Sequence, residues 1–300
     1  MSKEYIGIVG HGFVGGAVAR GFLKRGQPCM AYDVISGWHV AGYDKLPQCD
    51  GLKNISEHFV EHCEVIFVCV PTPMNMADGA CDTSIVNEVL WKLNEAARAR
   101  PLGEAMPTVI IKSTVPPGSC RVWQAAYQDI GIVFNPEFLR ENFAQEDFDS
   151  QTYTILGGEM LATYNAAKLY ERAFGSELVI LRCTGTEAEF VKYATNAFLA
   201  TKVALANEFA AVCDKIGVSW EDVATLLKND QRLGATHWDV PGPDGKRGFG
   251  GKCFPKDLNG MMHVAKCVGV DPSIMNAAWA LNLQVRGERD WENIEGAVKY

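Results

Sequence analysis

A glycine-rich turn near the N-terminus constrains the fold of this chain more than any other segment. The apolar, β-branched run Tyr5–Val9 predicts a strand, and it leads directly into Gly10-His11-Gly12-Phe13-Val14-Gly15. Helix-forming residues with apolar spacing follow from Ala17 to Lys24. A strand, a Gly-x-Gly-x-x-Gly turn and a helix in this order are typical of a dinucleotide-binding unit, in which the helix N-terminus receives a pyrophosphate.

A carboxylate after the next predicted strand refines this prediction. The strand covers Pro28 to Tyr32, and Asp33 follows it. A carboxylate at this position binds both ribose hydroxyls and repels a 2′-phosphate, which favours NAD over NADP. The residues that we predict to bind NAD here are Gly10, Gly12, Phe13, Val14, Gly15 and Asp33.

Further apolar runs, each closed by a turn, predict a parallel sheet. They are Val65–Val70, Thr108–Ile111, Ile132–Phe134 and Tyr153–Leu156. Helical stretches alternate with them, so we expect an α/β fold with a Rossmann-like doubly wound parallel sheet. Ligands bind beyond the carboxyl ends of such strands. The turns that follow there are Val70-Pro71-Thr72-Pro73, Ser113-Thr114 and Asn135-Pro136-Glu137.

The sequence changes character after Gly185. Residues from Thr186 to about Ile216 include no Gly or Pro and carry apolar side chains at helical spacing, which predicts one long helix. Shorter helices are predicted at Trp220–Lys228, Leu258–Cys267 and Ser273–Gln284. We therefore expect an NAD-binding domain over residues 1–185, a helical domain over residues 186–300, and weak structure over residues 291–300.

One cysteine stands in a loop suited to nucleophilic chemistry. Cys253 lies in Gly248-Phe249-Gly250-Gly251-Lys252-Cys253-Phe254-Pro255-Lys256-Asp257. The three glycines remove side chains from the approach, so a bulky substrate can come close to the backbone. Lys252 and Lys256 provide positive potential that favours the reactive thiolate, and Asp257 adds a carboxylate.

Polar residues on the long helix and after two strands complete the candidate set. Lys192 and Asn196 are four residues apart and share one helix face, where both can donate to an oxygen that gains charge. An extended lysine beside an unrelated helix amide explains the pair equally well. Glu137 or Glu141 can act as a base towards water or an alcohol, and the Thr114 hydroxyl can hold a water. Glu141 also suits a solvated charge near a helix start.

Composition argues against several other functions. A formal net charge of −8 argues against sequence-independent binding to nucleic acid or anionic lipid. The longest apolar run, Val65–Val70, is too short to cross a bilayer, and the N-terminus lacks a signal-peptide pattern. The ten cysteines are scattered and form no Cys-x-x-Cys pair, which favours a reducing cytoplasm and gives no support to a structural metal site.

With these motifs in this order, the chain resembles the UDP-glucose/GDP-mannose dehydrogenase family over roughly residues 5 to 285. The motifs that carry the resemblance are Gly10–Gly15, Val70–Pro73, Ser113–Pro116, Asn135–Glu141, Lys192–Asn196 and Gly248–Asp257. The resemblance implies NAD-dependent, four-electron oxidation of the C6 alcohol of a nucleotide sugar to a uronate. UDP-glucose is the first candidate substrate, and GDP-mannose or a UDP-N-acetylhexosamine is the alternative.

The resemblance also implies roles for individual residues. Cys253 would hold the substrate as a thiohemiacetal and then as a thioester between two hydride transfers. Lys192 and Asn196 would stabilise the oxyanion, and Asp257 would assist proton transfer or order water. Glu137 with Thr114 would position the hydrolytic water. Further NAD contacts implied are Val70, Pro71, Thr72, Thr114 and Glu141, and the substrate contacts implied are Glu137, Phe138, Leu139, Lys192, Asn196, Arg232, Phe249 and Gly250.

The resemblance finally implies a homodimer through the long helix, because family members place an arginine from the partner subunit against the substrate and Arg232 occupies that position. The family's usual C-terminal nucleotide-sugar-binding domain does not follow, so we expect a short form. Two other functions stay open. A two-electron hydroxy-acid dehydrogenase would leave Cys253 and Asp257 without a purpose, and a catalytically silent NAD-binding dimer would need neither.

Overall fold

The computed structural model describes residues 5–41, 52–101 and 103–300, which form two compact units. The first unit contains residues 1–72 and 83–192, and the second contains residues 73–82 and 193–300. The described strands are, in chain order, β1 (Tyr5–Val9), β2 (Cys29–Asp33), β3 (Gly37–Ala41), β4 (Cys63–Val68), β5 (Met74–Asn75), β6 (Thr108–Ile111), β7 (Gly131–Phe134), β8 (Tyr153–Gly158), β9 (Val179–Cys183) and β10 (Val298–Lys299). The described α-helices are α1 (Phe13–Lys24), α2 (Leu52–His62), α3 (Ser84–Arg98), α4 (Ser119–Ala126), α5 (Ala144–Asp149), α6 (Met160–Phe174), α7 (Gly185–Ile216), α8 (Trp220–Leu227), α9 (Cys253–Cys267) and α10 (Ser273–Val285).

A mixed sheet forms the centre of the first unit. Its strand order is β3-β2-β1-β4-β6-β7-β8-β9. Strands β2, β1, β4, β6 and β7 run parallel to one another, and β9 runs parallel to β8. Strands β3 and β8 pair antiparallel with β2 and β7. The predicted Rossmann-like doubly wound sheet is confirmed, with these two antiparallel pairs as departures from a fully parallel sheet.

Both faces of this sheet are buried. On β4, Val65 and Phe67 belong to one apolar core, whereas Ile66 and Val68 belong to the other. Successive side chains of a strand point to opposite faces, so each strand supplies both cores. Helices α1, α5 and α6 contribute to the first core, and α2, α3 and α4 contribute to the second.

Two element boundaries differ from the predictions and change the setting of the site. Strand β4 ends at Val68, so Val70 belongs to the turn that follows it. Helix α9 begins at Cys253, well before the predicted start at Leu258. Pro255 lies in its first turn, where the missing N–H costs no helical hydrogen bond.

Helices α8, α9 and α10, the later turns of α7 and a small two-stranded sheet build the second unit. Its chain end is part of the packing, so the expectation of weak structure over residues 291–300 is wrong. Trp291 is 1% exposed, and its ring centroid lies 5.3 Å from that of Trp279. Strand β10 pairs in parallel with β5. This pairing joins segments far apart in sequence, which a local pattern does not indicate.

Replacing Trp291 by Ala should lower the free energy of unfolding of the second unit by about 3 to 5 kcal/mol, because a buried indole is lost and a cavity remains. Urea denaturation followed by circular dichroism measures the change. Tyr300, which is 87% exposed, provides the control, and Tyr300→Ala should change stability by less than about 0.5 kcal/mol. Equal effects of the two substitutions would contradict this packing.

Candidate active site

The glycine turn after β1 leaves a helix end open to a ligand. Gly10 has a φ of +90°, and a Cβ on it would lie 2.6 Å from the main-chain oxygen of Cys69. A Cβ on Gly15 would lie 1.9 Å from the main-chain oxygen of Gly10. At Gly12, the N-cap of α1, no described atom beyond its own neighbours comes within 4 Å of the Cβ position. A phosphate therefore fits beside Gly12, where the first N–H groups of α1 have no intrahelical acceptor.

The Asp33 carboxylate is held against this turn. Its Oδ2 accepts the N–H of His11 at 2.9 Å, and its Oδ1 accepts the N–H of Ile35 at 2.9 Å. Burial alone would raise the pKa of Asp33, but these backbone donors hold it below its ordinary value, so the group is ionised at neutral pH. The open turn and the carboxylate fit the pyrophosphate and ribose of NAD, a cofactor that accepts a hydride.

The turns after β4 and β6 lie side by side, because these strands are parallel neighbours. Ser113 Oγ donates to the main-chain oxygen of Val70 at 2.7 Å. Thr72 and Thr114 are buried, whereas Pro71 is exposed. Strand β1 is the other neighbour of β4, so these turns share a sheet edge with the glycine turn. The residues that remain predicted NAD contacts are Phe13, Val14, Val70, Pro71, Thr72 and Thr114.

A buried ion pair follows β7. Lys192 of α7 is 3% exposed, and its Nζ donates to the main-chain oxygen of Glu137 and lies 3.3 Å from Glu137 Oε2. Glu137 Oε1 accepts the N–H of Leu139, and the Phe138 ring centroid lies 5.5 Å from Lys192 Nζ. The first unit thus brings four predicted residues into contact. Glu141, by contrast, is exposed at the start of a 3₁₀ turn.

A second buried lysine in this unit is absent from the sequence predictions. Lys112 directly follows β6, and its Nζ donates to Asn135 Oδ1 at 2.9 Å. Tyr170 donates its hydroxyl to the same oxygen at 2.6 Å, and Asn135 Nδ2 donates to the main-chain oxygen of Ile155 at 2.7 Å. The available signal was a lysine placed directly after an apolar strand whose carboxyl end faces the site.

The pKa of Lys112 makes the stability of the chain depend on pH. Burial lowers this pKa from 10.5 to about 8, although Cys69 and Glu137 raise it and Lys192 lowers it further. Between pH 8 and 10.5 the unfolded chain keeps a proton that the folded chain has released. The unfolded state then binds more protons, so stability rises with pH in this range.

We expect the wild type to gain stability relative to Lys112→Met by about 1 kcal/mol for each pH unit between these limits. Urea denaturation of both proteins at several pH values, under reducing conditions, measures the difference. Tyr170→Phe keeps the lysine and should follow the wild-type slope. A pH-independent difference between wild type and Lys112→Met would mean that Lys112 titrates normally.

The second unit brings Asn196 and Asp257 together. Asp257 is 1% exposed, its Oδ2 accepts Asn196 Nδ2 at 2.5 Å, and its Oδ1 forms an ion pair with Lys256 Nζ. Burial would lower the pKa of Lys256, but Asp257, with smaller effects from Cys81 and Cys253, raises it above its ordinary value. Lys256 is therefore a permanent cation whose charge Asp257 balances, rather than a source of unopposed positive potential.

Cys253 is the first residue of α9, so its sulfur lies at the end of the helix whose dipole favours negative charge. Two of the three glycines before it pack closely against other side chains. A Cβ on Gly248 would lie 2.4 Å from a side-chain oxygen of α10, and one on Gly250 would lie 2.2 Å from Arg286 Nη2. At Gly251 the described chain leaves the Cβ position open, and φ is +72°.

Two predicted substrate contacts have other neighbours in the second unit. Phe249 is 4% exposed, and both its main-chain N–H and its oxygen are hydrogen-bonded to the Asn282 side chain, at 2.7 and 3.0 Å. Arg232 is exposed and forms an ion pair with Asp230 at 2.6 Å. The roles of Phe249, Gly250 and Arg232 towards a substrate stay predictions.

Three other cysteines have a raised thiol pKa. Burial raises the pKa of Cys29 and of Cys69 to about 12. Burial, together with Glu189, raises the pKa of Cys120 well above its ordinary value. These three groups stay protonated at neutral pH.

Residues 5–41, 52–101 and 103–300 contain neither a metal-binding cluster nor a membrane-spanning helix. No group of three or more His, Cys, Asp and Glu side chains there is placed to hold a metal ion. No helix in this part of the chain is long and apolar enough to cross a membrane.

A glycine turn open to a phosphate and a carboxylate at the end of the next strand, on a Rossmann-like sheet, are typical of an NAD-binding oxidoreductase. Residues 48–174 match the NAD binding domain of the UDP-glucose/GDP-mannose dehydrogenase family, and residues 186–284 match its central domain. The chain belongs to this family, and the predictions of family and of NAD as cofactor are confirmed. Residues 5–80 also match the model described as NADP oxidoreductase coenzyme F420-dependent.

Known proteins similar to the chain agree with this family. UDP-glucose 6-dehydrogenase of Rickettsia felis is 32% identical over 93% of the chain, and the chain spans 64% of that relative, just under two thirds. UDP-glucose 6-dehydrogenase AglM of Haloferax volcanii is 30% identical, over 92% of the chain and 69% of the relative. The structure of a UDP-glucose dehydrogenase from Pyrobaculum islandicum matches with a TM-score of 0.76 and 26% identity, over 94% of the chain and 68% of that structure.

Replacing Asp33 by Ala should weaken NAD binding by roughly 10- to 100-fold, the effect of losing charged hydrogen bonds. NADP binding should not weaken, because the repulsion of its 2′-phosphate disappears. Titration followed by protein fluorescence measures both affinities. Glu88→Gln removes an exposed carboxylate on α3 and serves as the control. An unchanged ratio of the two affinities would assign Asp33 another role.

Proposed function

We propose that the chain catalyses the NAD-dependent, four-electron oxidation of the C6 alcohol of a nucleotide sugar, with UDP-glucose as the preferred substrate. The observation that carries the proposal is the setting of Cys253 at the start of α9, in the electrostatic environment of the buried Lys256–Asp257 ion pair. The relatives named UDP-glucose 6-dehydrogenase support the choice of substrate.

The first oxidation removes a hydride and a proton from the alcohol and leaves an aldehyde. The Asp257 carboxylate is buried and pairs with Lys256. We assign it the task of receiving or relaying the alcohol proton. The Lys192 ammonium is already desolvated and fixed by Glu137, so it donates to the substrate oxygen with little reorganisation. Asn196 lies one helical turn further along α7 and is assigned to the same oxygen.

The second oxidation needs a covalent bond to Cys253. The thiolate sulfur adds to the aldehyde carbon, and the resulting thiohemiacetal loses a second hydride and a proton to become a thioester. The bond to sulfur prevents release of the aldehyde. Water then adds to the thioester, the carbon–sulfur bond breaks, and the carboxylate product leaves with the thiol restored.

Glu137 and Thr114 are assigned to this final water. Glu137 follows β7 and Thr114 follows β6, so the two turns belong to parallel neighbouring strands. A carboxylate that accepts a water proton and a hydroxyl that fixes the water oxygen are the groups that hydrolysis requires. Glu141 is assigned to the nicotinamide side of the cofactor.

We also propose a cytoplasmic homodimer, with NAD bound by residues 1–185 and the subunit contact formed by residues 186–300. The exposed apolar side chains of α7 support this contact: Phe198 is 67% exposed, Val212 is 53% exposed and Ile216 is 67% exposed. Solvent-facing apolar side chains repeated along one long helix are typical of an interface. Arg232 would then reach the substrate of the partner subunit.

The wild type should form two NADH and one uronate for each molecule of UDP-glucose. Cys253→Ser should form at most one NADH per sugar and release an aldehyde, because a serine hydroxyl is a far weaker nucleophile than a thiolate. Absorbance at the NADH band and trapping of the carbonyl with hydroxylamine measure the two products. Cys267→Ser, at the other end of α9, should keep the wild-type ratio.

One NADH per sugar and a free carbonyl from the wild type would indicate a two-electron dehydrogenase instead. A panel that contains GDP-mannose and a UDP-N-acetylhexosamine tests the substrate. Bound NAD without oxidation of any sugar in the panel would support the silent NAD-binding dimer.

A further inference from the structure

Residues 286–300, here called the C-terminal strap, pack beside the cysteine loop within the second unit. The match to the family's central domain ends at residue 284, so the strap lies outside it. The strap contains Arg286, a 3₁₀ turn at Asp290–Asn293 and strand β10. The buried Trp291 anchors its middle, and the pairing of β10 with β5 anchors its end.

One strap carboxylate holds the backbone of the cysteine loop. Asp290 Oδ2 accepts the N–H of Gly251 at 2.9 Å. Gly251 lies two residues before Cys253 and has a φ of +72°, a conformation that glycine adopts without strain. The hydrogen bond therefore stabilises the loop at the residue where the backbone turns towards the start of α9.

A buried guanidinium fixes the other oxygen of this carboxylate. Arg286 is 2% exposed, and its Nε and Nη2 lie 3.1 and 3.0 Å from Asp290 Oδ1. Its Nη2 also donates to Asp244 Oδ2 at 2.7 Å. Arg286 thus pairs with both carboxylates, and its two contacts to Oδ1 fix the orientation in which Asp290 accepts the Gly251 N–H.

Neighbouring loop residues also contact the strap. A Cβ on Gly250 would overlap the Arg286–Asp290 pair, with Asp290 Oδ1 at 2.3 Å, so the loop backbone packs directly on these side chains. Lys252 Nζ donates to the main-chain oxygen of Glu295 at 3.2 Å. Three successive residues before Cys253 thus contact the strap.

We propose that Asp290 is a positioning residue for Cys253: through the Gly251 N–H it fixes the loop that places the sulfur at the start of α9. This inference rests on the proposed role of Cys253 as nucleophile. It assigns the strap a part in the second oxidation, in which sulfur must meet an aldehyde carbon at bonding distance.

Asp290→Ala and Asp290→Asn in the full-length chain test the proposal. We expect Asp290→Ala to lower kcat for UDP-glucose oxidation by roughly tenfold, the loss of one hydrogen bond to a charged group, with the KM for NAD unchanged. Amide hydrogens of residues 250–253 should exchange faster, while those in the middle of α7 keep their rate. Asp290→Asn keeps an oxygen for the Gly251 N–H and should recover most of kcat. Glu292→Gln, on the same turn and paired with the exposed Arg289, should match the wild type in both measurements.

Unchanged exchange at residues 250–253 in Asp290→Ala would overturn the proposal. Faster exchange throughout the second unit would also overturn it, since Asp290 would then act on stability alone. A released loop with an unchanged kcat would show that Cys253 needs no such support. The exchange measurement does not require turnover. A wild type that is inactive with every sugar would therefore contradict the proposed function, whereas the exchange rates would still show whether Asp290 positions the loop.

Discussion

The burial of Lys192 against Glu137 is the interaction on which the site in the first unit depends. Removing two charges from water costs several kcal/mol per ion, and direct pairing offsets this only when the remaining donors and acceptors are bonded as well. Lys192 also donates to the Glu137 main-chain oxygen, and Glu137 accepts the N–H of Leu139. Loss of either partner would leave a buried charge, so the pair holds the turn after β7 and the first turns of α7 in one arrangement.

The second unit contains a buried ion pair of the same kind, between Lys256 and Asp257. Both pairs combine an ammonium with a carboxylate out of water, and in both a neutral donor occupies a further carboxylate oxygen: the Leu139 N–H in one, the Asn196 amide in the other. Fixed donors in a medium of low dielectric act more strongly on a developing charge than mobile ones in water. Each pair is therefore prearranged to interact with a charge that develops beside it.

Short-range sequence patterns predicted the parts of the molecule that local backbone chemistry determines. The glycine turn and Asp33 were recognisable because strand, turn and helix follow one another directly. Lys112 was missed because a lysine after a strand resembles a solvent-facing charge, and only the neighbouring strand reveals its partner Asn135. The close packing of Gly250 was also not predicted, because Arg286, which lies beside its Cβ position, is far along the chain. Side-chain partners brought together by tertiary packing leave no periodic signal.

The cysteines of this chain differ in reactivity because they differ in burial. Cys29, Cys69 and Cys120 have a raised pKa through burial and stay protonated, and a thiol reacts with electrophiles far more slowly than a thiolate. Cys253 and Cys267 lie at opposite ends of α9; Cys253 is half-buried, and Cys267 is exposed. An alkylating compound would therefore react at different rates with the cysteines of this chain, depending on where each lies in the fold. A covalent inhibitor of modest reactivity would therefore spare these three thiols and still meet the sulfur that begins the helix of the proposed active site.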